Sequence, residues 1–208
     1  MAKTDWTWTV KFGDLDNDGF EDVYFTNGMS RDFFNGDVKE RAQKFTNSND
    51  PFMIKELEMW EQERPYQLNN QVYKNKGDLE FEDFSKQWGL DHFGVSTGSA
   101  MGDLDGDGDL EIVAGNDSGL LHVLHHDGTE MASYDVGDDI RGGISVADLN
   151  DDGSHELLFA GYDDMIHVWN PMDGVELDGW PVDMAGSYTH LTPTTQDAGV
   201  GRGVTRAR

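Results

Sequence analysis

The sequence predicts an all-β chain, a partial β-propeller of about three to four four-stranded blades with a helical insertion. Three observations carry this: an acidic loop that occurs three times, a 45-residue spacing between its last two copies, and short apolar runs divided by Gly and Asp turns. A repeat of about 45 residues is the length of one four-stranded blade.

The copies are Phe12-Gly-Asp-Leu-Asp-Asn-Asp-Gly-Phe-Glu-Asp-Val-Tyr-Phe25, Met101-Gly-Asp-Leu-Asp-Gly-Asp-Gly-Asp-Leu-Glu-Ile-Val-Ala114 and Val146-Ala-Asp-Leu-Asn-Asp-Asp-Gly-Ser-His-Glu-Leu-Leu-Phe159. Their lead residues, Asp14, Asp103 and Asp148, stand 89 and 45 residues apart. After the second and third loops come apolar runs, Leu110–Ala114 and Leu157–Ala160. A second run follows each, Leu120–Leu124 and Met165–Trp169, ending at Asp127-Gly128 and Asp173-Gly174. Asp-Gly between apolar runs is a hairpin signal, because Gly accepts φ > 0 at no steric cost.

The 89-residue gap is one blade plus an insertion. Asn70–Phe81 reads as the outer hairpin of the first blade. Ahead of it, Asp50 can cap a helix whose first residue is Pro51, and Pro65 ends it. Met53, Leu57 and Trp60 fall on one face, so a helical excursion is expected over about residues 38–64. It serves as a structural cap or as a lid over a ligand site. Residues 1–185 form the repeat region. From 186 to 208 the pattern breaks: one carboxylate, Asp197, remains, and the end carries Arg202, Arg206 and Arg208. Ser187–Thr195 resembles translated sequencing adaptor, so 186–208 reads as a non-native tail.

Composition narrows the function. The chain has 208 residues and a formal charge of −26, from 41 Asp plus Glu against 15 Lys plus Arg. That surface repels nucleic acid and anionic membrane. With no cysteine there is neither a disulfide framework nor a thiolate metal site. No apolar stretch of about 18 residues exists to span a membrane.

The acidic loops point to calcium. Ca²⁺ takes six to eight oxygens in forgiving geometry. Carboxylates at loop positions 1, 3 and 5 converge when a Gly at position 6 turns the chain. Position 7 then offers its carbonyl and position 9 an acid. The first loop supplies Asp14, Asp16, Asp18, the carbonyl of Phe20, and Asp22. The second supplies Asp103, Asp105, Asp107, the carbonyl of Asp109, and Glu111, and the third Asp148, Asn150, Asp152, the carbonyl of Ser154, and Glu156. About three Ca²⁺ ions are expected, which would move the charge from −26 to about −20. These are not EF-hands, which need a Glu at position 12; Phe25, Ala114 and Phe159 stand there.

The pattern resembles the FG-GAP or VCBS repeat, the blade of integrin-α-type β-propellers, over residues 6–185. Trp6-Thr-Trp8, Asn27–Asp32 and the hairpin Asn75–Phe81 are similar to those of bacterial VCBS proteins that carry an ASPIC/UnbV domain. The resemblance implies that these loops bind Ca²⁺, with Asn150 weakening the third. It also implies closure with six to eight blades, so the remaining blades of a longer chain are an expected partner. An open arc leaves apolar faces exposed.

No Gly-x-Ser-x-Gly, phosphate loop or His-Glu-x-x-His motif occurs. His122 and His167 sit at matching places in consecutive blades and read as packing residues. His125-His126 beside a turn reads as solvated. A module binding a protein or carbohydrate is expected, more readily than an enzyme; the other reading is the partial scaffold of a polysaccharide lyase or hydrolase. Calcium sites of the extracellular class have dissociation constants of about 10⁻⁴–10⁻³ M. They would stand empty in a cytoplasm, so a secreted, cell-surface or periplasmic location is expected.

Overall fold

The computed structural model describes residues 6–32, 35–46, 63–140 and 142–184. Along the chain these form β1 (Thr7–Gly13), β2 (Asp22–Asn27), helix α1 (Gly36–Thr46), β3 (Leu68–Asn69), β4 (Gln71–Asn75), β5 (Phe81–Asp83) and β6 (Phe93–Gly94). Then come β7 (Ser96–Gly102), β8 (Glu111–Asn116), β9 (Leu120–Leu124), β10 (Glu130–Asp135), β11 (Ser145–Ala147), β12 (Glu156–Ala160), β13 (Met165–Asn170), β14 (Val175–Glu176) and β15 (Val182–Asp183).

Three antiparallel sheets dominate, in the orders β1-β2-β4-β5, β7-β8-β9-β10 and β11-β12-β13-β14, with β15 added along β13. Each is a meander of the kind the sequence predicts for a blade. Their first strands lie side by side: β7 packs against both β1 and β11. Small residues permit this approach. A Cβ on Gly98 would come within 2.3 Å of the Gly142 carbonyl oxygen, and Thr9 Oγ1 lies 2.5 Å from Ser99 Oγ. The sheets therefore fan outward from a shared inner line, the geometry of an all-β partial propeller.

Two cores fill the gaps between sheets. Leu15, Tyr24, Val72, Leu90, Ile112 and Leu124 cluster between the first and second. Val113, Leu121, Val123, Leu157, Phe159 and Trp169 belong to the cluster between the second and third. Successive side chains of a strand face opposite ways, so Ile112 serves one core and Val113 the other. This explains why the middle blade's apolar run is continuous rather than alternating. The first blade is covered on both faces at β2 and β4, where Val23, Tyr24, Val72 and Tyr73 are buried, but not along β1. On β1, Trp8, Val10 and Phe12 are 50%, 46% and 64% exposed, the open apolar face expected of an incomplete ring.

Asn70–Phe81 is the predicted outer hairpin, β4 and β5. The insertion is helical over its first part, and residues 47–62 lie outside the described residues. The observed helix is α1, and it starts with Asn35, whose side-chain oxygen accepts a bond from Asp37 N–H at 3.0 Å. Val38 and Ala42, one turn apart, are buried. Glu63 and Arg64 are not helical. The predicted cap Asp50 and the face Met53, Leu57 and Trp60 lie outside the described residues, as does the tail 186–208. After the insertion, β3 pairs β6 and the Tyr66 backbone pairs Met29.

Candidate metal centres in the acidic loops

All three loops adopt one backbone form. Position 6 has positive φ in each: Gly19 at 90°, Gly108 at 96° and Gly153 at 91°. Position 4 does too, with Asn17 at 55°, Gly106 at 78° and Asp151 at 60°. Asn, Gly and Asp tolerate this region best, so the signal at position 4 was present in the sequence, and only position 6 was read.

This double left-handed turn folds the leading acids inward. Ligand atoms of Asp14, Asp16 and Asp18 lie within 4.8 Å of one another, and so do those of Asp103, Asp105 and Asp107. Backbone donors hold them: Asp18 N–H and Gly19 N–H donate to Asp14 at 3.0 and 2.8 Å, and Gly106 N–H donates to Asp103 at 2.8 Å. At position 7, the N–H groups of Phe20, Asp109 and Ser154 donate to Asp18, Asp107 and Asp152. In the third loop Asp148 accepts from Asp152 and Gly153 N–H, and Asn150 donates to Asp152 at 2.8 Å. Hydrogen bonds from Ser154 N–H and Asn150 hold the Asp152 carboxyl below its ordinary range.

The ninth-position acids have a second task that sequence reasoning missed. Asp22, Glu111 and Glu156 are fully buried. Each accepts the N–H of loop position 2: Leu15 at 3.0 Å, Leu104 at 2.7 Å and Leu149 at 2.9 Å. Each is thus a strut that closes its loop. Burial pushes the Asp22 and Glu111 carboxyls up, opposed by these backbone bonds. An ionised carboxylate has about four lone-pair sites, so two accepted bonds leave room for an ion.

Across the sheet from each strut stands a different residue. The registers Val23↔Tyr73, Ile112↔Leu124 and Leu157↔Trp169, taken one step on, set Asp22 opposite Lys74, Glu111 opposite His125, and Glu156 opposite Asn170. Lys74 reaches into the first loop, pairing with Asp16 and lying 2.9 Å from Asp18 Oδ2. Asp16 Oδ1 is buried without a hydrogen-bond partner. His125 Nδ1 lies 3.4 Å from Glu111 Oε1, and His125, Glu111 and Asp105 form a further close group. His125 is partly solvated, with 32% of its side chain exposed, and its ring also faces Glu111. Asn170 donates to Glu156 at 3.3 Å.

The residues of the first two loops fit a calcium ion: converging carboxylate oxygens, one of them buried and orphaned, on a rigid turn. In the first loop Lys74 must give way. The third offers fewer charges, because Asn150 replaces an acid.

His122 and His167 behave as packing residues. His122 Nδ1 lies 2.9 Å from Glu130, and the His167 nitrogens lie 2.6 and 2.9 Å from Glu176 and Asp163. His167 also stacks on Phe159, ring centres 5.0 Å apart. Tyr134 donates to Glu176, and burial pushes its hydroxyl up to about 12.

Meander sheets fanning from shared inner strands, each with an Asp-rich loop between its first two strands, define a β-propeller-type repeat protein. The model of the FG-GAP-like repeat matches residues 65–114 and 103–159, so this part of the chain carries FG-GAP-like repeats. Among solved structures it is similar to a chain of the crystal structure of BBS1N in complex with ARL6DN, soaked with lead. That match has 13% identity and a TM-score of 0.40, and covers 88% of this chain and 59% of the other. No curated protein matches.

Proposed function

We propose that the chain is a calcium-binding β-propeller module of a secreted, cell-surface or periplasmic protein, akin to those bearing an ASPIC/UnbV domain, that mediates adhesion by binding a protein or carbohydrate. The observation that carries the reading is the convergence of Asp14, Asp16 and Asp18, and of Asp103, Asp105 and Asp107, on one loop fold. About three Ca²⁺ ions would bind, one per loop, and fasten the start of β2, β8 and β12 to the preceding strand. Among the described residues no helix is long and apolar enough to cross a membrane. For the ligand, a cleft of about 470 Å³ is lined by Asn69, Asn70, Gln71, Asp83, Gln87 and Asp91 among others. Amides and carboxylates supply the paired donors and acceptors that sugar hydroxyls require.

The test is a melting curve of the full chain in chelator and in increasing Ca²⁺. An ion that binds only the folded state adds about 1.4 kcal/mol at ten times its dissociation constant, so millimolar Ca²⁺ acting at three loops should raise the midpoint by several degrees. Asp14→Asn and Asp103→Asn should each remove part of the rise. A midpoint indifferent to Ca²⁺ would refute the reading.

A further inference from the structure

The second loop differs from the other two in chemical kind. Glu111 is fully buried, and one of its oxygens is taken by Leu104 N–H. The other faces His125 Nδ1 at 3.4 Å. That distance is long for a hydrogen bond to a charged group, which runs about 2.7–2.9 Å. It suits two ligands of one metal, since tetrahedral bonds of about 2.0–2.1 Å set neighbouring donors about 3.3 Å apart. Asp105 completes the group, with all three donor atoms within 4.8 Å. The pairing is built in by register, because His125 is the residue opposite Glu111 on β9. In the same place the first blade has Lys74, which cannot ligate while charged, and the third has Asn170, a neutral amide.

We propose that this second loop is a mixed nitrogen–oxygen site for a borderline divalent ion of the Zn²⁺ class, held by His125, Glu111 and Asp105. Imidazole suits Zn²⁺ and its neighbours, whereas Ca²⁺ takes oxygen. Two carboxylates and one imidazole leave a fourth position for water or for a side chain of a bound partner. Asp103 and Asp107 remain as outer charges that raise the local cation concentration. The three loops therefore sort ions when both kinds are present: with Ca²⁺ alone each loop holds one, and in the second a borderline ion takes its place through His125. The inference rests on the reading of the loops as ion sites.

The experiment titrates the untagged full chain with Co²⁺, which reports a nitrogen ligand through its visible spectrum, and with Zn²⁺ by calorimetry, each in millimolar Ca²⁺. The expected result is one Zn²⁺ per chain that Ca²⁺ does not displace. His125→Asn, which copies the third blade, should weaken it tenfold or more and abolish the cobalt spectrum, with the calcium-dependent melting shift unchanged. His126→Ala and His122→Ala should leave Zn²⁺ binding intact, excluding adventitious histidine capture. Equal Zn²⁺ affinity in His125→Asn, or Zn²⁺ that Ca²⁺ displaces freely, would overturn this proposal while the calcium reading stands. Failure of both ions to bind would overturn both.

Discussion

The first and second blades carry the same run of aspartates on the same double left-handed turn, yet they answer the problem of buried charge differently. In the first, Lys74 lies against Asp16 and Asp18, and both oxygens of Asp22 accept backbone bonds, from Leu15 and Asn75 N–H. In the second no lysine enters among the described residues, and Glu111 holds one backbone N–H and faces an imidazole. A repeated motif thus fixes the loop's shape, while one cross-strand residue decides what neutralises it. The first loop is held by a lysine and by both oxygens of its strut; the second leaves one strut oxygen to an imidazole.

The largest effect should separate the two struts. Asp22→Ala strands two buried backbone donors and Glu111→Ala one, each costing about 1–3 kcal/mol. Urea denaturation in chelator should show a loss of about 2–6 kcal/mol for Asp22→Ala and about half of that for Glu111→Ala. Equal losses would break the comparison.

Lys74→Met tests the resident cation. In chelator it should lower the melting midpoint slightly, because the half-buried Asp16 and the exposed Asp18 lose their counter-charge. In Ca²⁺ it should bind the first-loop ion roughly tenfold more tightly, as a competitor removed by about 1.4 kcal/mol does. Calorimetry that finds weaker calcium binding would show that Lys74 assists the site.

The metal-free second loop should also respond to pH. Burial raises the Glu111 carboxyl above its ordinary value of 4.5, so the folded state takes up a proton more readily than the unfolded one. The stability this contributes is present below 4.5 and is lost as pH rises through the raised folded value. In chelator Glu111→Gln should therefore flatten the fall in melting midpoint on the alkaline side of 4.5. A profile identical to the parent's would mean that Glu111 does not titrate differently on folding.

The smallest effect lies at the turn itself. Asn17 adopts φ 55° and donates to Asp109 at 2.5 Å, so it also ties the first loop to the second. Asn17→Ala should cost about 1 kcal/mol in left-handed strain, and Asn17→Gly less, by thermal melting; the reverse order would show that the tie to Asp109 outweighs the backbone.

Much of this was legible in the sequence because it is periodic. The Asp-x-Asp/Asn-x-Asp-Gly loops, the runs after them and the Asp-Gly hairpins each repeat, so the blades and their order follow from local chemistry. The insertion does not repeat, so nothing periodic announced α1, which begins at Gly36 after the capping Asn35; the Asp50-Pro51 signal lies outside the described residues. The cross-strand partners were hidden for another reason. Lys74 lies 58 residues from Asp16, and only the register of β2 against β4 brings them together. The struts escaped notice because a ligand acid and a loop-closing acid look alike in sequence; burial distinguishes them.

The account rests most directly on how many ions the folded chain holds. Native mass spectrometry of the full chain, sprayed from millimolar Ca²⁺ and again after chelation, counts them. About three calcium ions, falling stepwise in Asp14→Asn, Asp103→Asn and Asp148→Asn, are predicted. A chain that carries no calcium at millimolar concentration would contradict the account and leave the loops as turns held by their own struts.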